Sequence, residues 1–153
     1  MERFKRLRAM ARAQTKKFTW FPPLFARLTL GYLFVHSGLY KFGHLNEVTG
    51  FFTRLMIPAP GFHARFVAAT ELLCGTAVLL GAATRLAVVP LAVTMVVALV
   101  TAKKSDIHEA SDLLLAGEYL NLILFAWLAI TGAGPVSVDR LLARRLGDDD
   151  TKA

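Results

Sequence analysis

The sequence predicts an all-α fold: an integral membrane four-helix bundle with the N- and C-termini cytoplasmic. Four long apolar runs predict this fold, because about 20 apolar residues let an α-helix cross the hydrocarbon core of a bilayer. The composition agrees, since 55% of the 153 residues are hydrophobic and 19% are charged, with a mean hydropathy of +0.48. Soluble domains are less apolar and more charged than this, and the length suits one domain.

The four membrane helices are predicted over residues 24–43, 66–83, 86–102 and 113–132. Two consecutive prolines precede the first run, and a stretch with two glycines and a proline, residues 132–135, follows the fourth. These residue types begin and end helices. The second and third runs are joined by little more than Thr84 and Arg85, which predicts a tight antiparallel hairpin. Together the runs define a membrane domain over residues 21–142.

Basic residues lie mostly outside the runs and on one side of the predicted bundle. Twelve Lys and Arg residues fall in the N-terminal segment, the hairpin and the C-terminal region, against four in the two opposite loops. The positive-inside rule then places both termini in the cytoplasm, so we expect a multi-pass protein of a bacterial-type inner cell membrane. Residues 1–20 are predicted to form a basic segment, cytoplasmic or on the membrane surface, and residues 143–153 a charged tail.

The basic N-terminus has a competing interpretation, which is nucleic-acid binding. We favour the bilayer as its partner and predict no nucleic acid, because the positive-inside rule explains the charge directly.

Cys74 is the only cysteine, which excludes a disulfide framework and a CxxC redox pair. His36 is the only histidine inside a predicted membrane helix, so no second histidine is placed to share a haem. We predict no metal and no evident cofactor of the chain's own.

Three ionisable residues interrupt the apolar runs: Lys41, Glu71 and Glu118. A charge in the bilayer costs at least about 2–3 kcal/mol, so such residues usually face a partner or a water-filled cavity. The helical rise places all three about 5–9 Å inside the outer ends of their helices. We therefore predict that Lys41 lies between the two acids in the outer half of the bundle. The other members of this predicted polar cluster are His36, Tyr40, Tyr119 and Asn121.

The faces of the helices support this convergence. Residues of the first helix spaced 4, 3, 4 and 3 apart share one stripe, formed by Arg27, Gly31, Phe34, Gly38 and Lys41. Glycines on such a stripe let another helix approach closely, and the glycine-rich faces could equally form homo-oligomer contacts. Arg27 lies at the cytoplasmic end, where we expect its side chain to extend to the headgroups.

The predicted cluster has two interpretations. A buried network of paired charges would fix the register of the helices. Alternatively, because two carboxylates would share one ammonium, the second carboxyl group suits proton exchange or a hydrogen bond to a quinone-like carbonyl. His36 could then extend a proton path inward. No catalytic residue can be named from the sequence.

The predicted outer loop, residues 44–65, is apolar and aromatic and contains two prolines. Its candidate functional residues are Phe51, Phe52, Pro58 and Phe62. They form either a cap at the membrane surface, or a lid or docking surface for a partner protein or a hydrophobic substrate.

The order and spacing of these residues resemble the DoxX family of small four-helix membrane proteins. The resemblance covers residues 24–142 and is carried by Arg27–Phe42, Gly50–Phe52, Ile57–Pro60, Glu71 with Gly75, Leu80–Arg85, His108, Gly117-Glu118 and Gly134–Arg140. The polar positions typical of the family fall on Arg27, Gly38, Lys41 and Glu71.

DoxX-like proteins are associated with the membrane subunit of a thiosulfate:quinone oxidoreductase and with membrane-bound oxidoreductase assemblies. The resemblance therefore implies a quinone-interacting or oxidoreductase-associated membrane subunit. Quinone is the candidate cofactor, and a membrane or periplasmic redox protein is the candidate partner. Two alternatives stay open, which are a non-enzymatic anchor or scaffold for a partner protein and a small transporter component. The resemblance does not decide whether the chain is an enzyme.

Overall fold

The computed structural model of the protein describes residues 20–104 and 107–146. All but the last residue of the predicted basic N-terminal segment, and residues 147–153 of the predicted tail, lie outside the described residues. Within the described part the secondary structure is helical, with no strand, which confirms the all-α prediction there. The helices are α1 (Phe21–Gly43), α2 (Leu45–Arg54), α3 (Pro60–Leu80), α4 (Thr84–Thr101), α5 (Ala110–Leu115), α6 (Gly117–Thr131) and α7 (Val138–Leu146).

The four longest helices, α1, α3, α4 and α6, pack around one apolar core. Helix α1 lies along α3, α3 contacts α4, α4 lies along α6, and α6 makes a smaller contact with α1. The core side chains that are at most 2% exposed include Leu30, Phe34, Val78, Val88, Leu91, Phe125 and Leu128. The rings of Phe34 and Phe125 have centroids 5.2 Å apart, which joins α1 to α6.

The turn between α3 and α4 is tight, as the sequence predicts. Helix α3 ends at Leu80 because Gly81 adopts a left-handed backbone conformation with φ of 72°. The amide of Ala82 then donates to the carbonyl of Ala77 over 2.9 Å, the long-range bond of the Schellman motif that ends many helices. Helix α4 begins at Thr84, two residues before the predicted start.

Two stretches differ from the predicted boundaries. The outer loop, residues 44–65, is largely helical: it contains α2, and α3 begins at Pro60, where a proline costs no helical hydrogen bond. The predicted helix over residues 113–132 is interrupted at Ala116, whose extended backbone (φ −65°, ψ 127°) separates α5 from α6. Gly117 follows directly, and glycine is a poor helix former.

Much of the outer surface is apolar. Leu73 is 70% exposed, Leu86 75% and Ile130 77%, and monomeric soluble proteins rarely expose large contiguous apolar patches. Among the described residues, α3 and α4 are long and apolar enough to cross a bilayer, with mean hydropathies of 1.3 and 2.0, and α6 is apolar but shorter. The surface is therefore suited to lipid rather than to water.

Candidate functional site

The candidate site lies where the backbones of α1 and α3 approach each other at three glycines. A Cβ added to Gly31 would lie 2.6 Å from the Cα of Leu79. A Cβ added to Gly38 or Gly75 would lie 2.7 or 2.9 Å from an atom of the facing helix. Real side chains do not pack that closely, so only glycine permits this approach. The close contact is the one that the stripe of small residues predicts.

This approach brings together a polar cluster that consists of Ser37, Lys41 and Glu71. The Glu71 carboxylate, on α3, is 1% exposed. Its Oε1 lies 2.5 Å from Lys41 Nζ, and its Oε2 accepts a hydrogen bond from Ser37 Oγ over 2.8 Å. A buried charge is tolerated when it is paired and its remaining lone pairs are satisfied. Both carboxylate oxygens meet that condition through side chains of α1.

Lys41 and Ser37 are the partly exposed members of the Ser37–Lys41–Glu71 cluster, and Lys41 is the charged one. Its side chain is 24% exposed, and its ammonium group has three donors, of which the contact with Glu71 uses one. The neighbouring Tyr40 and Phe42 are 53% and 41% exposed. The cluster can therefore offer a charged donor to an acceptor group that approaches beside aromatic side chains.

Ser37 is the cluster residue that the sequence interpretation missed. It precedes Lys41 by four residues, so the two side chains share one side of α1. This four-residue spacing is the sequence signal that could have identified Ser37 as a member of the cluster. A serine inside a helix is easily passed over because its hydroxyl can bond to its own helix backbone, whereas here it donates across to α3.

The structure does not bring Glu118 into the cluster. Within the described residues, no hydrogen bond or ion pair joins Glu118 to Lys41 or Glu71. The break at Ala116 places Glu118 in the first turn of α6, where a carboxylate interacts favourably with the helix dipole. The predicted arrangement of two acids around one base is thus replaced by one acid, one base and one hydroxyl.

The other predicted members of the cluster lie elsewhere. His36 and Tyr40 are exposed; the His36 ring is 6.1 Å from that of Tyr32, and the Tyr40 ring stacks on His44 at 4.3 Å. These residues share the outward side of α1, because they are spaced by four. The exposed position of His36 therefore gives no support to a proton path that runs inward through this residue.

The two predicted residues on α6 also lie outside the Ser37–Lys41–Glu71 cluster. Tyr119 is half-buried. The side-chain amide of Asn121 lies 3.8 Å from the sulfur of Met95 on α4. Neither joins the Ser37–Lys41–Glu71 cluster through a hydrogen bond among the described residues.

Arg27 turns inward instead of extending to the headgroups. Its side chain is 4% exposed, and its Nη1 donates to the carbonyl of Ala133 over 2.8 Å. The chain after α6 folds back over this end of α1 and supplies that carbonyl to Nη1, while Arg27 Nε is buried and has no hydrogen-bond partner among the described residues. The expected snorkelling is wrong for this reason.

Asp139 lies at the same end of the molecule as Arg27. Its Oδ1 accepts from the amide of Ala83 over 2.6 Å and its Oδ2 from the amide of Thr84 over 3.3 Å. The carboxylate thereby caps the N-terminus of α4, where a negative charge is favourable. In the sequence, Asp139 lies in the Gly134–Arg140 stretch, but no local pattern there predicts that it caps α4.

The outer segment exposes most of the predicted aromatic surface. Phe51 is 40% and Phe62 65% exposed, Pro58 is exposed and Phe52 is half-buried. The guanidinium carbon of Arg54 lies 5.9 Å from the centroid of the Phe51 ring. Helix α2 therefore presents aromatic and basic groups side by side.

Two shallow apolar grooves run along the surface. One, of about 550 Å³, lies between α4 and α6, and the other, of about 390 Å³, lies between the start of α1 and α6. Neither is lined by Lys41, Glu71 or Glu118. Among the described residues, no group of three His, Cys, Asp or Glu side chains is placed to bind a metal ion.

Comparison with known proteins identifies related sequences. Residues 23–104 match the model of the DoxX family. A relative from Mycobacterium tuberculosis, named as an uncharacterized membrane protein, is 35% identical over 133 residues, and the match covers 78% of this chain and 80% of the relative. A relative from Bacillus subtilis, named "Putative oxidoreductase CatD", is 32% identical over 117 residues, with 76% and 83% covered. None of the solved structures gives a significant match.

Proposed function

The chain belongs to the DoxX family of membrane proteins, and from this premise we propose that it is an oxidoreductase-associated membrane subunit that binds a quinone at Lys41. The name of the Bacillus subtilis relative supports an association with oxidoreductase chemistry. The Ser37–Lys41–Glu71 cluster supports the position of the site, because it is the one place where the described membrane helices pair opposite charges.

The proposed topology has α1, α3, α4 and α6 crossing the inner membrane, with both termini in the cytoplasm. The length and hydropathy of α3 and α4 support membrane crossing. The excess of basic residues in the N-terminal segment, the α3–α4 turn and the C-terminal region supports the orientation. On this topology the Ser37–Lys41–Glu71 cluster lies toward the periplasmic side and Arg27 toward the cytoplasm.

The observation that carries the proposal is the unequal burial of the ion pair. Glu71 is fully enclosed while Lys41 is 24% exposed, so Glu71 can hold the ammonium in place and Lys41 can still donate outward. A carbonyl oxygen is the acceptor that fits, because a charge-assisted hydrogen bond to it needs no counter-charge from the ligand. The exposed ring of Phe42, next to Lys41 in the chain, provides apolar surface for the flat body of a quinone. When bound, the quinone would supply the electron transfer, and the chain would bind and orient it.

The test is purification of the full chain from its native membrane in a mild detergent. Bound quinones and co-purifying proteins are then identified by mass spectrometry. We expect a quinone in constant ratio to the protein across preparations, and a redox protein that co-purifies. Preparations that carry neither would contradict the proposal.

A scaffold role is the second candidate, and the exposed aromatic residues of the outer segment favour it. Replacing Phe51 and Phe62 by Ser should release a partner that docks there. Phe25, which is 61% exposed at the other end of α1, provides the matched control. A partner that remains bound to the Phe51/Phe62 variant would exclude docking at this surface.

A transporter role gains no support from the packing. Leu30, Phe34 and Val78 are at most 2% exposed and lie between the Ser37–Lys41–Glu71 cluster and Arg27 along α1 and α3. Tightly packed apolar side chains there leave the two polar ends separated.

A further inference from the structure

The C-terminal helix α7 is attached to the end of the helix bundle by its first turn. The amide of Asp139 donates to the carbonyl of Gly81 over 3.0 Å, while the Asp139 carboxylate accepts from Ala83 and Thr84. The amide of Arg140 donates to Ser137 Oγ over 3.2 Å. Because Gly81 and Ala83 lie in the α3–α4 turn and Thr84 begins α4, the Asp139 contacts hold the start of α7 level with the ends of the two helices best suited to cross the bilayer.

Beyond that turn, α7 carries apolar side chains that the described residues leave uncovered. Leu141 is 55% and Leu142 50% exposed, and Arg144 and Arg145 are exposed. Arg145 follows Leu141 by four residues and Leu142 by three, so all three lie on one face. The aliphatic stem of such an arginine can lie along an apolar layer while its guanidinium reaches the polar boundary.

We propose that α7 lies in the membrane interface and binds anionic lipid headgroups through Arg145. Exposed leucines beside arginines, on a short helix held at headgroup depth, are the chemistry of an interfacial helix. A lipid surface is favoured over a protein partner because the Asp139 contacts fix the depth of α7 at the ends of α3 and α4. The inference rests on those two helices crossing the membrane, and it needs no quinone.

The positive charge that faces the membrane belongs to α7 and not to the whole C-terminal region. Asp148–Asp150 follow α7 in the sequence and lie outside the described residues. Asp139, the acidic residue within α7, is engaged at the start of α4. Arg145 therefore supplies the positive charge on the face that carries Leu141 and Leu142, and it should raise the ratio of membrane-bound to free α7 about fivefold at an anionic surface.

The test uses the full chain in nanodiscs, with Cys74→Ala removing the native thiol. A spin label is placed at Leu142→Cys, and for comparison at Arg144→Cys, on a different side of α7. In discs containing phosphatidylglycerol, we expect the label at 142 to be relaxed more by oxygen than by a water-soluble nickel complex, and the label at 144 to show the reverse. Adding Arg145→Gln should lower the ratio of membrane-bound to free α7, as reported by the label at 142, about fivefold.

Controls distinguish binding of α7 to an anionic lipid surface from its contact with neutral lipid, a second copy of the chain or a protein partner. Discs of phosphatidylcholine should show little effect of Arg145→Gln, and Arg54→Gln, which removes a charge from α2, should leave the 142 label unchanged in either lipid. Equal access of the nickel complex to both labels in anionic discs would overturn the proposal. So would a 142 label that is shielded equally in detergent and in both lipids, since that indicates a second copy or a protein partner. Loss of quinone from the preparation would affect none of these readouts.

Discussion

Lys41 and Glu71 meet about one helical turn from the close contact of α1 and α3 at Gly38, with Nζ 2.5 Å from Oε1. The pair is asymmetric, because the carboxylate is 1% exposed and the lysine side chain 24%. Ser37 satisfies the second carboxylate oxygen. This arrangement makes Glu71 dependent on α1 for all of its observed side-chain partners, while Lys41 keeps donors for another group.

Removing Lys41 alone should destabilise the protein more than removing both charges. Lys41→Met leaves a buried carboxylate without its counter-ion, a change that typically costs about 3–5 kcal/mol. The double variant Lys41→Met/Glu71→Gln removes the charge as well and should lose markedly less. The free energy of unfolding, measured by denaturant titration in mixed micelles, gives the comparison. Equal losses in the single and double variants would show that the unpaired Glu71 carboxylate is not what destabilises Lys41→Met.

Glycine substitutions should test the contact between α1 and α3. Gly31→Ala puts a Cβ 2.6 Å from the Leu79 backbone, so the helices must separate, at a cost of about 1–3 kcal/mol for overpacking. Gly43→Ala, in the same helix, meets no heavy atom within 4 Å. It should leave stability unchanged or slightly higher, because alanine is the better helix former. Thermal unfolding of both variants checks this, and equal melting temperatures would argue against the close approach.

The start of α5 should depend on the ionisation of Asp112. Backbone hydrogen bonds from His108 and Glu109 lower the pKa of this carboxyl group, through amides 2.9 and 3.0 Å from Oδ2. A depressed pKa means that the stabilisation is present above the ordinary aspartate pKa of 3.8 and is lost as the pH falls through the lower pKa of the folded state.

NMR of the His108 and Glu109 amides, followed against pH in micelles, measures this effect. Both resonances should shift together as Asp112 is protonated, at a pH below that of an unfolded aspartate. Asp112→Asn should abolish the shared transition. Amide shifts that persist in the variant would assign the transition to another group.

The sequence predicted the helical fold and the α1–α3 contact because both depend on local patterns. Apolar runs mark the long helices, and the spacing of Gly31, Gly38 and Lys41 marks the face that approaches α3. The pairing of Lys41 with Glu71 follows from the same pattern, since a charge in an apolar helix needs a partner.

The features that the sequence did not predict depend on tertiary context or on a local break. The predicted position of Glu118 assumes an unbroken helix over residues 113–132. The interruption at Ala116 places Glu118 in the first turn of α6 instead. The inward position of Arg27 depends on a carbonyl from Ala133, 106 residues away in the chain. The role of Asp139 likewise depends on the α3–α4 turn.

The most direct test of the proposed site is the infrared spectrum of a quinone bound to the reconstituted protein. A hydrogen bond from Lys41 should lower the stretching frequency of one quinone carbonyl relative to the same quinone in lipid alone. In the Lys41→Met/Glu71→Gln variant, which removes the donor together with its counter-ion, that shifted band should disappear, while Gly43→Ala should retain it. A shifted band of equal intensity in the double variant, or no shifted band in the unaltered protein, would contradict quinone binding at Lys41.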